Sequence, residues 1–180
     1  MKRGLTLSAI LTVIAVGLIF VSTNPSTAAN KPATNPYLPY GSTPIDPPSA
    51  TTAVLTIRAH GKVKSYRMAD LLALTSATAT INEPFVKKVQ SFTVIPLAIL
   101  FAQSGITAGQ SIDTTALNDY IYSNTAGAFV KARGLLAIER NGAAIPYDQG
   151  GPIRIIFPNN SIWTKVLDPW NWSLASIVAH

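Results

Sequence analysis

The residues best suited to chemistry fall in three short stretches. In "ALNDYIYSN", residues 116 to 124, Asn118 and Asp119 can each bond their own backbone and hold a turn. Tyr120 and Tyr122 follow at strand spacing, so the segment reads as a polar rim with an aromatic wall or as an Asx-type turn opening a hairpin. In "YDQGGPIRIIFPNN", residues 147 to 160, Arg154 is the one cation inside an apolar run. It either faces a polar cleft, where it would meet an anion, or pairs with a carboxylate. In "WTKVLDPWNWSL", residues 163 to 174, Lys165 either reaches an anionic ligand or is solvated. Trp170 and Trp172 either anchor a terminal strand or form a binding surface.

Other chemistries find no support. The chain has no cysteine, which removes disulfides, thiolate nucleophiles and cysteine metal ligands. Its two histidines, His60 and His180, have no helix-spaced carboxylate or second histidine, so no metal site is expected. Serine nucleophiles lack a histidine base with an acidic orienter. A Gly-rich phosphate loop is missing as well. The eight carboxylates show no spacing that selects a glycosidase pair. The net charge of +6 is scattered, without a basic run interleaved with aromatics, so nucleic acid is not an expected partner.

The elements that must position these residues are short. "AVLTIRAHGKVKSYRM" alternates about Gly61 and predicts a β-hairpin. "MADLLAL" predicts a short helix over 68–74. "TSATATIN" and "FVKKVQSFTV" predict strands, the second ending at Ile95. Pro96 suits the first turn of a helix that Gly105 would stop. "SIDTTALNDYIYSN" predicts strand, loop and strand. A strand over Leu135 to Arg140 precedes a tight turn at Asn141-Gly142. "PIRIIFP" predicts a central strand and "NWSLASIVA" a closing one. The class is α+β, a mixed β-sheet domain with a few short helices.

Ahead of that domain, Lys2 and Arg3 precede an apolar run from Leu5 to Val21, and Thr27 and Ala29 fit the small positions before a signal-peptidase cut. The expected organisation is a signal peptide over 1–29, a Pro-rich linker over 30–50, which Tyr37, Leu38 and Tyr40 could tack down, and a domain over 51–180. The expected location is periplasmic or secreted, with no stable membrane span after cleavage. An uncleaved anchor is the alternative, since 17 apolar residues sit at the low edge of a bilayer span.

Five pieces in order resemble the oxidoreductase molybdopterin-binding domain family, whose fold is shared with sulfite oxidase. They are "YRMADLLAL", "FTVIPLAILFAQSGI", "ALNDY", "AIERNGAAIPYDQGGPIRIIFP" and "WNWSLASIVA", together covering roughly residues 54 to 179. The resemblance implies a short, stand-alone exported member with a sulfite oxidase-type fold. Active members of such a family are oxidoreductases in which molybdopterin holds molybdenum and one protein cysteine ligates the metal. That cysteine would fall within about 78–91, where this chain has none. Ser76, Ser91 or a threonine would offer only an oxygen, a poorer ligand for a thiophilic centre. The resemblance also implies that the pterin phosphate is gripped by the loop after the proline. Arg154, Asn159, Asn160 and Lys165 are the nearest equivalents here, and Asn118, Asp119 and Tyr120 would complete the cleft. Two functions follow as expectations. One is a pterin- or anion-binding, redox-associated protein without the metal-ligating cysteine. The other is a non-catalytic extracytoplasmic module that contacts a protein partner.

Overall fold

The structure, a computed structural model, describes residues 48–74 and 77–180. The expected signal peptide, nearly all of the Pro-rich segment with Tyr37, Leu38 and Tyr40, and Ser76 lie outside the described residues. Among the described residues no helix is long and apolar enough to cross a membrane.

Among the described residues, ten strands form two sheets. The first runs in the order β2 (Lys62–Arg67), β1 (Ala53–Ala59), β10 (Leu174–Ala179), β5 (Ser111–Ala116), β6 (Ile121–Thr125). Its ladders are antiparallel except β1 with β10, which is parallel. Leu55, Ile57 and Ala59 alternate inward along β1, as a half-buried strand requires. The hairpin turns at His60-Gly61, both with positive φ, which glycine takes without strain.

The second sheet runs β3 (Ala77–Glu83), β4 (Lys88–Pro96), β7 (Leu135–Arg140), β8 (Ala143–Ala144), with β9 (Arg154–Ile156) also pairing with β7. Asn141 and Gly142 make the expected turn, both at positive φ. The Asn141 side chain also accepts from Ser91 N at 3.0 Å, tying that turn to β4.

Among the described residues, three short α-helices close the gaps. α1 (Met68–Leu72) begins where Arg67 N and Nε both donate to Asp70 Oδ2. α2 (Leu97–Gln103) starts just after Pro96, and Leu97 N donates to Gly134 O at 3.0 Å. Gly105, φ +71, ends the helix as its sequence position suggests. α3 (Ala126–Lys131) stands where the sequence reading had no helix. Its first turn is held by Thr125, whose hydroxyl accepts from Ala128 N at 3.2 Å.

The "PIRIIFP" run is buried throughout from Ile153 to Phe157, as an apolar run should be. It departs from the expected central strand: only three of its residues enter a ladder, and that ladder is with β7 alone, so β9 is a short edge strand. The other side of the run is satisfied by irregular backbone: Ile155 N donates to Asn171 O at 2.8 Å and Leu174 N to Ile153 O at 2.9 Å.

Candidate functional site

Arg154 leaves β9 pointing inward, and its side chain is 1% exposed. Its Nη2 lies 3.3 Å from Glu83 Oε1, and the glutamate side chain is fully buried. The other carboxylate oxygen accepts from Val86 N at 2.8 Å, so Glu83 also fixes the β3–β4 turn. The guanidinium lies over two rings, its carbon 5.1 Å from the centre of Phe92 and 4.7 Å from that of Trp172. Its Nη1 also approaches Gln149 O at 3.4 Å. Of the two alternatives open from sequence, Arg154 takes the carboxylate pair.

The backbone around it is glycine-dependent. At Gly150, φ is +83 and an added Cβ would sit 2.7 Å from the Trp172 indole. At Gly151 the same atom would lie 1.8 Å from Ile145 O, so no side chain fits there without moving backbone. Gly150 thus lets the Trp172 indole approach the chain that enters β9, and Gly151 lets that chain pass close to the Ile145 carbonyl. Phe85, at the β3–β4 tip, packs edge-on against Trp172 at 4.7 Å and Trp170 at 6.2 Å. Trp170 continues to Phe157 at 5.6 Å, Phe157 to Trp163 at 5.3 Å, and Trp163 to Tyr122 at 6.0 Å. All three tryptophans therefore belong to one aromatic chain that pins the 163–172 loop, which is the anchoring alternative.

The remaining candidates lie near the surface in separate pairs. Asn118 Oδ1 accepts from Tyr120 N at 3.3 Å, giving the Asx-type turn, and Asp119 completes it at φ +64. The Tyr120 hydroxyl donates to Asp168 O at 3.1 Å, clasping the turn to the loop that carries Lys165. Burial, with help from the nearby Asp168 and Tyr122, pushes the Tyr120 hydroxyl above its ordinary pKa, so it remains a donor at neutral pH. Lys165 is exposed, with no hydrogen-bond or ion-pair partner among the described residues. Asn159 Oδ1 accepts from Asn82 N at 2.7 Å, and Asn160 Oδ1 accepts from Arg133 Nη1 at 2.8 Å. The structure thus brings Asn118, Asp119, Tyr120 and the Lys165 loop together. It links Asn159 to β3 and Asn160 to Arg133, two residues beyond α3, and it sets Arg154 apart in the interior.

Two surface grooves, about 530 and 340 Å³, are lined by none of these seven residues. Among the described residues no cluster of three or more His, Asp or Glu could hold a metal ion. Sequence reasoning passed over Glu83, Phe85 and Gln149. The signal for Glu83 was modest but present: a carboxylate closing the β-favouring run "TATINE" before Pro84 needs a partner if that run is buried.

A molybdenum centre held by a protein thiolate does not fit these residues. The chain has no cysteine. The stretch that would carry one, 78–91, is the β3–β4 hairpin, and its buried carboxylate is already shared between Arg154 and a backbone N–H.

The family model for the oxidoreductase molybdopterin binding domain matches residues 45–168. No curated protein matches the chain. Among solved structures, the sulfane dehydrogenase SoxCD from Paracoccus pantotrophus is similar at a TM-score of 0.56 and 18% identity over 75% of this chain. The match spans 40% of that longer chain. The likeness is one of fold, and it agrees with the mixed-sheet, few-helix architecture described above.

Proposed function

The chain belongs to the oxidoreductase molybdopterin binding domain family, and from that premise we propose that it is an exported member that uses the domain for binding, without cysteine-held molybdenum. The observation that carries this reading is the Glu83–Arg154 pair. The arginine that would meet an anion spends its charge on a buried carboxylate, and it lies over the rings of Trp172 and Phe92. An incoming anion would have to displace Glu83 and leave that charge buried alone, which costs several kcal/mol, roughly 3–5.

The ligand-facing surface in this reading is the outer one, where Asn118, Asp119, Tyr120 and Lys165 gather, with Asn159 and Asn160 on the neighbouring loop. Its ligand is a small anion or a pterin, held through the Lys165 ammonium and neutral donors. The residues of this chain would bind and orient such a ligand. The second reading is a docking module for an extracytoplasmic protein. It is favoured by the exposure of Phe85, Val86, Leu117, Ile162, Val166 and Leu167 on the hairpin tip, the turn and the 162–167 loop.

Protein purified from its native exported compartment, in a host that makes molybdopterin, tests the reading. Elemental analysis is expected to find molybdenum far below one atom per chain. A stoichiometric molybdenum content would overturn it. Isolation of the mature chain from the cytoplasm with residues 1–29 intact would remove the exported part of the proposal.

A further inference from the structure

The edges of the two sheets are not guarded alike. An edge strand offers unpaired N–H and C=O groups to any other chain, and charge, proline or a bulge usually protects it. In the first sheet, β2 carries Lys62, Lys64 and Arg67, and its register with β1 shifts between Ala53 and Leu55. β6 has five residues and runs straight into α3. In the second, β8 and β9 have only two and three residues. β3 closes the other side of that sheet and is the longest of these edges, at seven residues. From Ala77 to Asn82 it has neither charge nor proline, and its register along β4 is unbroken.

Hydrogen bonds on either side of β3 fix which of its backbone groups face out. Asn82 N donates away from β4, to Asn159 Oδ1 at 2.7 Å. Alternate residues of a strand turn their N–H and C=O the same way, so those of Thr80 and Thr78 also face out. The neighbouring strand shows the same phase. Ser91 stands opposite Thr80, yet its N–H donates to Asn141 Oδ1 at 3.0 Å and its O accepts from Asn141 N at 2.7 Å, both away from β3. Among the described residues the outward groups of Thr78 and Thr80 meet no hydrogen-bond partner, and both residues are exposed. Asn159 stops this open edge at Asn82.

We propose that β3 pairs antiparallel with β3 of a second copy of the chain, Thr78 of each facing Thr80 of the other. Each facing pair then exchanges both N–H···O bonds, and the second sheets of the two copies become one. An uncharged, β-branched edge calls for an uncharged, β-branched strand, and β3 is itself such a strand. A two-fold rotation brings the same groups back into register, threonine meets threonine across the seam, and no like charges are opposed. The contact is small, so the dimer is weak and reversible. The proposal stands whether or not the Tyr120 surface binds a ligand, since it uses no residue of that surface and takes Asn159 only as an end stop.

Sedimentation equilibrium of the protein as purified from its host, up to millimolar concentration, tests it. A monomer–dimer equilibrium is expected, with the Thr78 and Thr80 amides slow to exchange only when the dimer is filled. The Thr78→Lys/Thr80→Lys variant sets lysine against lysine and is expected to weaken association at least about tenfold. Its melting temperature in dilute solution should change little, since both side chains are exposed. Mixing it with the Thr78→Glu/Thr80→Glu variant is expected to restore a dimer, now a mixed one. Thr80→Pro removes an N–H that lies outside the β4 ladder, so it is expected to abolish the dimer and keep the fold. A chain still monomeric at millimolar concentration, assembly that grows beyond a dimer, or an equilibrium indifferent to the lysine variant would each overturn the assignment. So would failure of the two charged variants to pair, or slow exchange of both amides in the dilute monomer, which would mean that the chain covers its own edge.

Discussion

Two arginine–carboxylate pairs sit in opposite surroundings. Arg67 and Asp70, at the start of α1, are exposed and well aligned: Nη2 meets Oδ1 at 2.8 Å and Nε meets Oδ2 at 2.9 Å. Arg154 and Glu83 are buried and farther apart, at 3.3 Å. By contact geometry the first pair is the better one. By consequence it is the lesser, because water competes for its charges and salt screens them. Breaking the second leaves an ion stranded in the core. Burial, more than distance, decides which pair the fold depends on.

The sharpest way to break this contrast is Glu83→Ala. It should cost about 3–5 kcal/mol in urea unfolding, because Arg154 is left charged and enclosed. The paired replacement Glu83→Leu with Arg154→Met should recover most of that loss. If the double variant is as unstable as the single, the pair contributes more than mutual neutralisation, and the contrast fails. Next in size is Thr125→Ala, expected to cost about 1 kcal/mol by removing the N-terminal bond of α3. A larger loss would mean that this helix is tied to the core more tightly than its cap suggests.

Smallest is the exposed pair. Hydrogen bonds from Arg67 side chain and backbone hold Asp70 down at about 2, below its ordinary value of 3.8. Its folded pKa is depressed, so its contribution is present above about pH 4 and fades as pH falls towards 2. Because the pair is exposed, Asp70→Asn should lower stability only slightly at neutral pH, less in high salt, and not at all near pH 2, by thermal melts across that pH range. A large neutral-pH effect would erase the difference between the regions. On the outer surface, Lys165→Gln should leave the melting temperature unchanged while weakening binding of a small anion there. The converse pattern would make Lys165 a structural residue.

Much of the scaffold could be read from local pattern. The Gly61 hairpin, the Asn141-Gly142 turn, the Pro96-to-Gly105 helix and the Asn118 turn each carry their own signals in adjacent residues. α3 did not, because six residues are too few to show a helical period and Thr125 was its one marker. The partner of Arg154 was hidden for a different reason. Glu83 is separated from Arg154 in sequence by five strands (β4 to β8) and two helices (α2 and α3), and only tertiary packing sets them face to face. The same holds for Asn159 with Asn82, whose bond joins a loop to a strand 77 positions earlier. Sequence could say that Arg154 needed company, and it left open whether that company was an incoming anion or a carboxylate of its own chain.

The parallel pairing of β1 with β10 has a consequence in time. β10 lies between β1 and β5, with two strands of the first sheet on one side and two on the other. It is also the latest of the strands to be synthesised. Until that stretch is available, the early hairpin β1–β2 and the later hairpin β5–β6 have no strand to join them. The first sheet therefore closes in one late step, by insertion of a middle strand between two waiting hairpins. Long-range closure of this kind is slow compared with local hairpin formation.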